Sequence, residues 1–347
     1  MRCQVYLCMR YVNIEDVLPG ASLGKEIFSM DGQVLLSKGA SLTANHIARL
    51  RKFGVHIVPL DLPEESNFEE EAASPKTQID SIFEEDSLRF IGYGEEEWKE
   101  RVLAVMEKVV ETAKAQEFLQ FIRNGSDSLY AHALMVGLIS TTIGARHGYS
   151  DKKLEQLAIS ALLHDIGKVL PASYDEPGVV HGSDHTWRGY NFLKTVAEFG
   201  KVVAHVALCH HEDFSQTGHP RKVAASAVHE FAQIVAIANA FDHLTHRRNG
   251  EALMEPGEAC EFMLAFTNKR FSHVFMNDFL RSVALYPTGS QVVLSNGLHG
   301  IVVSQNSGLP QRPVIHILHT NNGGQQITVQ TIDLAQENTV FIEEIIS

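Results

Sequence analysis

Leu162-Leu163-His164-Asp165-Ile166-Gly167-Lys168 is the stretch on which the reading of this chain turns. Behind it Leu154, Leu157, Ala158, Ala161 and Leu162 recur at helical spacing and give one apolar face. An imidazole, a carboxylate and an amine therefore fall at the end of a buried helix, where each needs a partner once removed from water. Adjacent histidine and aspartate suit a metal better than a proton relay, because neutral imidazole offers one nitrogen and a carboxylate can bridge two ions. Lys168 lies about one turn beyond His164, within reach of the same cavity.

Further candidate ligands follow the same design. His210-His211-Glu212 ends an apolar helical stripe of Val202, Val203, Val206 and Ala207. His185 precedes Trp187, Gly189, Tyr190 and Leu193, and His132 shares a helical pattern with Leu129, Val136 and Ile139. The chain has 18 histidines, and several fall at expected helix ends. A lone histidine in an amphipathic helix is ordinarily a hydrogen-bonded boundary residue. The ordered set His132, His164-Asp165, His185 and His210-His211 reads instead as one shared metal site.

With these motifs in view, the sequence resembles the HD-GYP phosphodiesterases of bacteria, a branch of the HD superfamily. The likeness is carried by Tyr130-Ala131-His132-Ala133, by the 162–168 stretch and by His185-Thr186-Trp187-Arg188-Gly189. It continues through His210-His211-Glu212, Gly218-His219-Pro220 and Ile237-Ala238-Asn239-Ala240-Phe241-Asp242, and spans residues 98–283. The resemblance implies an all-helical bundle enclosing metal ions, commonly iron or manganese, and hydrolysis of cyclic di-GMP by a metal-bridging hydroxide. It implies that Asp165 bridges two ions, that His132 and His164 hold one, and that His185, His210 and His211 hold the other. It gives Lys168 the task of supplying positive charge to the phosphate. It places Arg248 where the family grips the nucleotide, with a solvated surface charge as the alternative.

Departures from the family pattern bear on activity. Gly-Tyr-Pro is here Gly218-His219-Pro220, and the Asp-Gly before it is Ser215-Gln216. Asn239 stands where the family has an aspartate ligand, and a neutral amide oxygen holds a cation less tightly than a carboxylate. Asp242, one helical turn on, either swings in as a ligand or orients one from behind. Ser128 replaces the glutamate of three-metal members. The expected cofactors are therefore two divalent ions, iron or manganese, with one half of the site weakened.

The rest of the chain fits a mainly α fold: a helical HD-type bundle with a small α/β N-terminal module and a small β C-terminal module. The 347 residues divide into a module at 1–60, an acidic linker at 61–97, the helical metal-binding region at 98–283 and a β-rich module at 284–347. In the first, strands are expected at 26–28, 34–36 and 55–59, with a hairpin signal at Asp31-Gly32. A helix over 42–53 has Thr43 as its N-cap and Gly54 at its end. One helix is expected from Trp98 to Ile122, carrying Val102, Val105, Met106, Val109 and Val110. Strands at 291–294, 300–304, 314–318 and 327–330 follow, with turns at Asn296-Gly297 and Gly323-Gly324.

A formal charge of −13 argues against a general DNA- or RNA-binding surface, so an anionic nucleotide needs a local basic pocket. Cys3, Cys8, Cys209 and Cys260 form no metal-knuckle or disulfide spacing, which fits a reducing cytoplasm, and Cys209 continues an apolar face. Residues 1–12 are too short and mixed for a signal peptide, and no continuous apolar run of about 18 residues is present. No serine sits in a Gly-x-Ser-x-Gly elbow. Two function classes follow. One is an active cyclic di-GMP phosphodiesterase, favoured by the retained His-Asp, His-His and Lys168. The other is a catalytically impaired nucleotide receptor or signalling scaffold, favoured by Asn239 and the altered Gly-His-Pro loop. The expected partner is a cyclic dinucleotide; a signalling protein or a second copy of the chain stays open.

Overall fold

A computed structural model describes residues 9–24, 27–28, 34–52, 57–61, 96–175, 184–245, 254–286, 288–306, 309–320 and 327–346. The acidic segment 62–95, the Asp31-Gly32 and Gly323-Gly324 turns and Arg248 lie outside the described residues.

The first segment holds β1 (Met9–Asn13), β2 (Ile27–Phe28), β3 (Val34–Leu36), α1 (Ala44–Lys52) and β4 (Ile57–Asp61). β1 pairs antiparallel with β4, and β2 with β3. Thr43 caps α1 as expected, its Oγ1 accepting from the His46 amide at 3.1 Å. Leu23, Leu42, Ile47, Leu50 and Val58 form the core under these elements. β1 was not expected as a strand; it gains that form by pairing with β4, a partner far along the chain.

The helical region comprises α2 (Glu96–Val110), α3 (Ala113–Gly125), α4 (Asp127–Arg146), α5 (Asp151–Leu162), α6 (His185–Leu193), α7 (Gly200–Cys209), α8 (Glu230–Thr245), α9 (Pro256–Leu264) and α10 (His273–Leu280). The single helix expected over 98–122 is two. Thr112 turns extended (φ −65°, ψ 134°), and its side chain accepts from the Ala115 amide at 3.4 Å, starting a new helix. α4 is the axis of the bundle and packs against α2, α3, α5, α8 and α10. Its 20 residues are long and apolar enough by composition to cross a membrane, but 83% of that window is buried inside the bundle. It is a core helix, and it carries His132.

α5 stops just short of His164. Leu163 leaves helical geometry (φ −105°, ψ 4°), and the chain tightens into a 3-10 turn over Ile166–Lys168. Gly167 is required there: a Cβ would meet the His185 carbonyl oxygen at 1.9 Å and the Gly189 amide nitrogen at 2.7 Å. The His-Asp turn is thus pressed against the first turn of α6, which starts at His185.

The C-terminal segment is an antiparallel sheet in the order β8-β7-β6-β5-β9, with β5 (Gln291–Leu294), β6 (His299–Ser304), β7 (Val314–Thr320), β8 (Ile327–Asp333) and β9 (Ile342–Ile346). Its core is built from Val292, Leu294, Val302, Ile315, Ile317, Leu334 and Ile342, and Tyr286 packs both on it and on the helical core. β9 was missed because two glutamates interrupt a short apolar run; as an edge strand it needs only Ile342 buried.

Candidate metal centre

Four separate stretches of helix deliver the site. α4 brings His132, the turn after α5 brings His164 and Asp165, the start of α6 brings His185, and the end of α7 brings His210 and His211. Asp165 lies at their centre. Its Oδ2 is 3.5 Å from His132 Nε2 and 3.4 Å from His164 Nε2. Its Oδ1 is 3.1 Å from His185 Nε2 and 3.5 Å from His210 Nε2. His185 Nε2 is in turn 3.4 Å from His210 Nε2 and 3.3 Å from His211 Nε2. Two groups therefore each have ligand atoms within 4.8 Å of one another: His132, His164 and Asp165, and Asp165, His185, His210 and His211. Asp165 belongs to both.

The far nitrogens explain why the Nε2 atoms face inward. His164 Nδ1 donates to the Ala161 carbonyl at 2.7 Å, and His210 Nδ1 lies 3.0 Å from the Ala207 carbonyl. His132 Nδ1 lies 2.5 Å from Asp242 Oδ2. For His164 and His210, which burial keeps neutral, the carbonyl partner holds the proton on Nδ1 and leaves Nε2 with a lone pair, the tautomer a metal needs; Asp242 is the Nδ1 partner of His132. His164 Nε2, Asp165 Oδ1 and Asn239 Oδ1 are buried without a hydrogen bond. Orphaned buried polar atoms are rare and call for a ligand or ion.

The electrostatics suit a cation. Burial pushes His164 down, pushes His210 down to about 4 and pushes His211 further down, so these imidazoles stay neutral. Burial alone would raise Asp165, but His164, His132 and His185 hold it well below the usual carboxylate range. Burial likewise opposes charge on His132, yet its hydrogen bonds to Asp165 and Asp242 raise it overall.

The sequence-predicted residues fall as follows. His132, His164, Asp165, His185, His210 and His211 meet. Asn239 is buried on α8, and Asp242, one turn on, lies against His132 Nδ1. Lys168 pairs with Asp165 Oδ2 through its ammonium rather than standing apart for a phosphate.

Three residues support the site in ways the sequence motifs did not assign. Glu212 accepts from the backbone amides of Arg221 at 2.7 Å and Val223 at 3.2 Å, pinning the chain after Gly218-His219-Pro220. Gly218 leaves no room for a Cβ, which would come within 2.4 Å of the His211 carbonyl oxygen. Asp184 caps α6, accepting from the Thr186 amide at 3.0 Å, and so sets the position of His185. An aspartate ahead of a helical pattern was the signal for it. His219 stacks on His211 with ring centroids 4.5 Å apart.

Residues 105–272 match the family described as HD domain, and residues 291–347 match the KOW domain associated with HD domain. The chain is 23% identical over 223 residues to a protein of Pseudomonas aeruginosa named cyclic di-GMP phosphodiesterase PA4108, covering 62% of this chain and 54% of that one. It is 27% identical to a Thermotoga maritima cyclic di-GMP phosphodiesterase, covering 44% of each. It is 31% identical over 142 residues to the Vibrio cholerae 3'3'-cGAMP-specific phosphodiesterase 3, covering 38% of this chain and 30% of that one. The chain spans about half the length of the first curated relatives it matches. Among solved structures, Bd1817 of Bdellovibrio bacteriovorus aligns over 78% of this chain and 98% of its own, with 17% identity and a TM-score of 0.39.

Proposed function

The chain belongs to the HD-domain family through residues 105–272, and from that premise we propose that it is a metal-dependent phosphodiesterase hydrolysing cyclic di-GMP. The observation that carries the reading is the position of Asp165, one carboxylate common to two sets of inward-facing imidazole nitrogens. His132 and His164 hold one cation, with the Asn239 amide as a weaker neighbouring donor, and His185, His210 and His211 hold the other. Two divalent ions, iron or manganese, supply an acidified water and neutralise the phosphoryl oxygens when bound.

The protein's own groups do the rest. Asp165 sets the separation of the two ligand sets. Asp242 keeps His132 in the tautomer that offers Nε2. Lys168, released from Asp165 once that carboxylate is engaged, turns its ammonium to the phosphate as negative charge grows there. Arg248 grips the nucleotide phosphate in the same proposal. Cyclic di-GMP is chosen because the Pseudomonas and Thermotoga relatives carry that name. The buried free cysteines Cys209 and Cys260 agree with a reducing cytoplasmic setting.

Asn239 favours a second reading, a receptor that binds nucleotide and does not turn it over. Purification without chelator, metal counting and assay of cyclic di-GMP and 3'3'-cGAMP with Mn(II) or Fe(II) under reducing conditions separate the two. Linear dinucleotide or GMP, lost in Asp165→Ala together with bound metal, is the expected result. Tight nucleotide binding without product in the metal-replete protein would establish the receptor instead.

A further inference from the structure

A second cavity lies away from the metal ligands, in the cleft between α6, α7 and the segment leading into α8. Its volume is about 660 Å³, within the range of small-molecule sites. Tyr190, Lys194, Lys201, His205, Ser226 and His229 supply its polar lining. The chain as a whole carries −13, yet the ionisable side chains of this lining are two lysines, two histidines and a tyrosine, with no carboxylate. Among the described residues neither Lys194 nor Lys201 pairs with a carboxylate, and the Lys194 ammonium contacts only the Asn191 amide oxygen, at 2.6 Å, and the Tyr190 ring. The nearest acidic residue in sequence to His229, Glu230, is turned away and engaged by the Tyr149 hydroxyl at 2.6 Å and Lys153 at 2.7 Å.

The two imidazoles are set as donors. His205 Nε2 accepts from the His229 amide at 3.2 Å, so the proton of a neutral ring sits on Nδ1. His229 Nδ1 accepts from the Phe231 amide at 3.1 Å, so its proton sits on Nε2. Burial, with the neighbouring Arg221 charge, lowers His205, and burial lowers His229, which favours the neutral form of both rings. Each ring thus has one N–H beyond those backbone contacts. Two ammonium groups, two imidazole N–H donors and the Ser226 hydroxyl are more donors than a carboxylate takes, and match the three terminal oxygens of a phosphate monoester. Val202, Ala204 and Val228 add an apolar wall for the body of the ligand.

We propose that this cleft is a binding site for a phosphate monoester of mononucleotide size, separate from the metal centre. It does not depend on the chain being a phosphodiesterase. α7 connects the two places physically: Lys201 and His205 line the cleft, and the same helix ends at His210 and His211.

The test uses the full chain bearing Asp165→Asn, which disables the metal centre, with guanosine 5′-monophosphate and inorganic phosphate as calorimetric probes. One GMP is expected to bind, with affinity falling as salt rises and inorganic phosphate binding more weakly. Adding Lys194→Glu and Lys201→Glu, both exposed positions, is expected to weaken GMP at least tenfold while thermal melting and cyclic di-GMP turnover in the Asp165 background stay as they were. No GMP binding to the Asp165→Asn protein, or equal affinity with and without the lysine reversals, overturns the site. Inorganic phosphate binding as tightly as GMP overturns the mononucleotide assignment.

Discussion

Asp242 sits 2.5 Å from His132 Nδ1 at the back of the candidate metal centre, where its charge acts on the imidazole. Asp242→Asn keeps an oxygen able to accept that hydrogen bond but removes the charge that makes His132 a stronger donor. Metal retention is expected to fall about 10–100-fold, read by competition with a chelator, with the fold intact. Asn239→Asp works in the opposite direction, adding a carboxylate where a buried amide oxygen has no hydrogen bond. Tighter metal retention and faster turnover are expected; unchanged metal content would remove Asn239 from the site. The residues that cluster were legible as candidates because metal ligands must be particular residue types, and His132, Asp165 and His210 stand out even without a partner in view. Glu212 was not, because its carboxylate serves two backbone amides nine and eleven residues on, and only the path of the loop reveals them.

At the level of elements, the site depends on how closely the turn after α5 meets α6. Gly167 and Gly189 face each other there, but unequally. A Cβ at Gly167 meets backbone at 1.9 Å, whereas one at Gly189 meets the Ala207 side chain at 3.3 Å. Gly167→Ala must therefore push the His185 backbone away from Asp165. It is expected to cost roughly 1–3 kcal/mol of stability and to release metal, while Gly189→Ala does much less of either. Chemical denaturation and metal counting on the two variants check the contrast; equal effects would mean that the turn does not set the position of His185. Elements with strong apolar periodicity, such as α5 and α7, were readable in advance. The break at Thr112 was not, since a cap competes with an unbroken apolar stripe and wins only through its local hydrogen bond. β1 and β9 depend on strands remote in sequence, which periodicity within each segment does not contain.

Across the whole molecule, the helical region carries imidazoles that are buried (His164, His210), half-buried (His205, His211, His229) or exposed (His219). His164, His205, His210, His211, His219 and His229 are all pushed down, burial being the first cause in each case, and among the described residues His132 is the histidine that is raised. In the unfolded chain each of these titrates near 6.5. As pH falls below that value the unfolded chain takes up protons that six of the folded imidazoles refuse, so folding loses stability. For His210, folded near about 4, the loss is on the order of 1 kcal/mol per pH unit across that window. His132 opposes the trend, because its raised value makes its stabilisation complete below 6.5. Asp165 is neutral to the argument until lower pH: held well below the usual carboxylate range, its contribution is present above about 3.8 and fades only beneath it. The six outweigh the one, so the urea midpoint of the metal-free protein is expected to fall steadily from pH 7 to pH 5. Metal bound as proposed stabilises the neutral His164, His210 and His211 among these, so the loaded protein should hold its midpoint to lower pH than the metal-free one. A metal-free midpoint that is flat or rises on acidification would mean that the buried imidazoles do take up protons in the folded chain, and the ligand-ready state inferred for the metal centre would go with it.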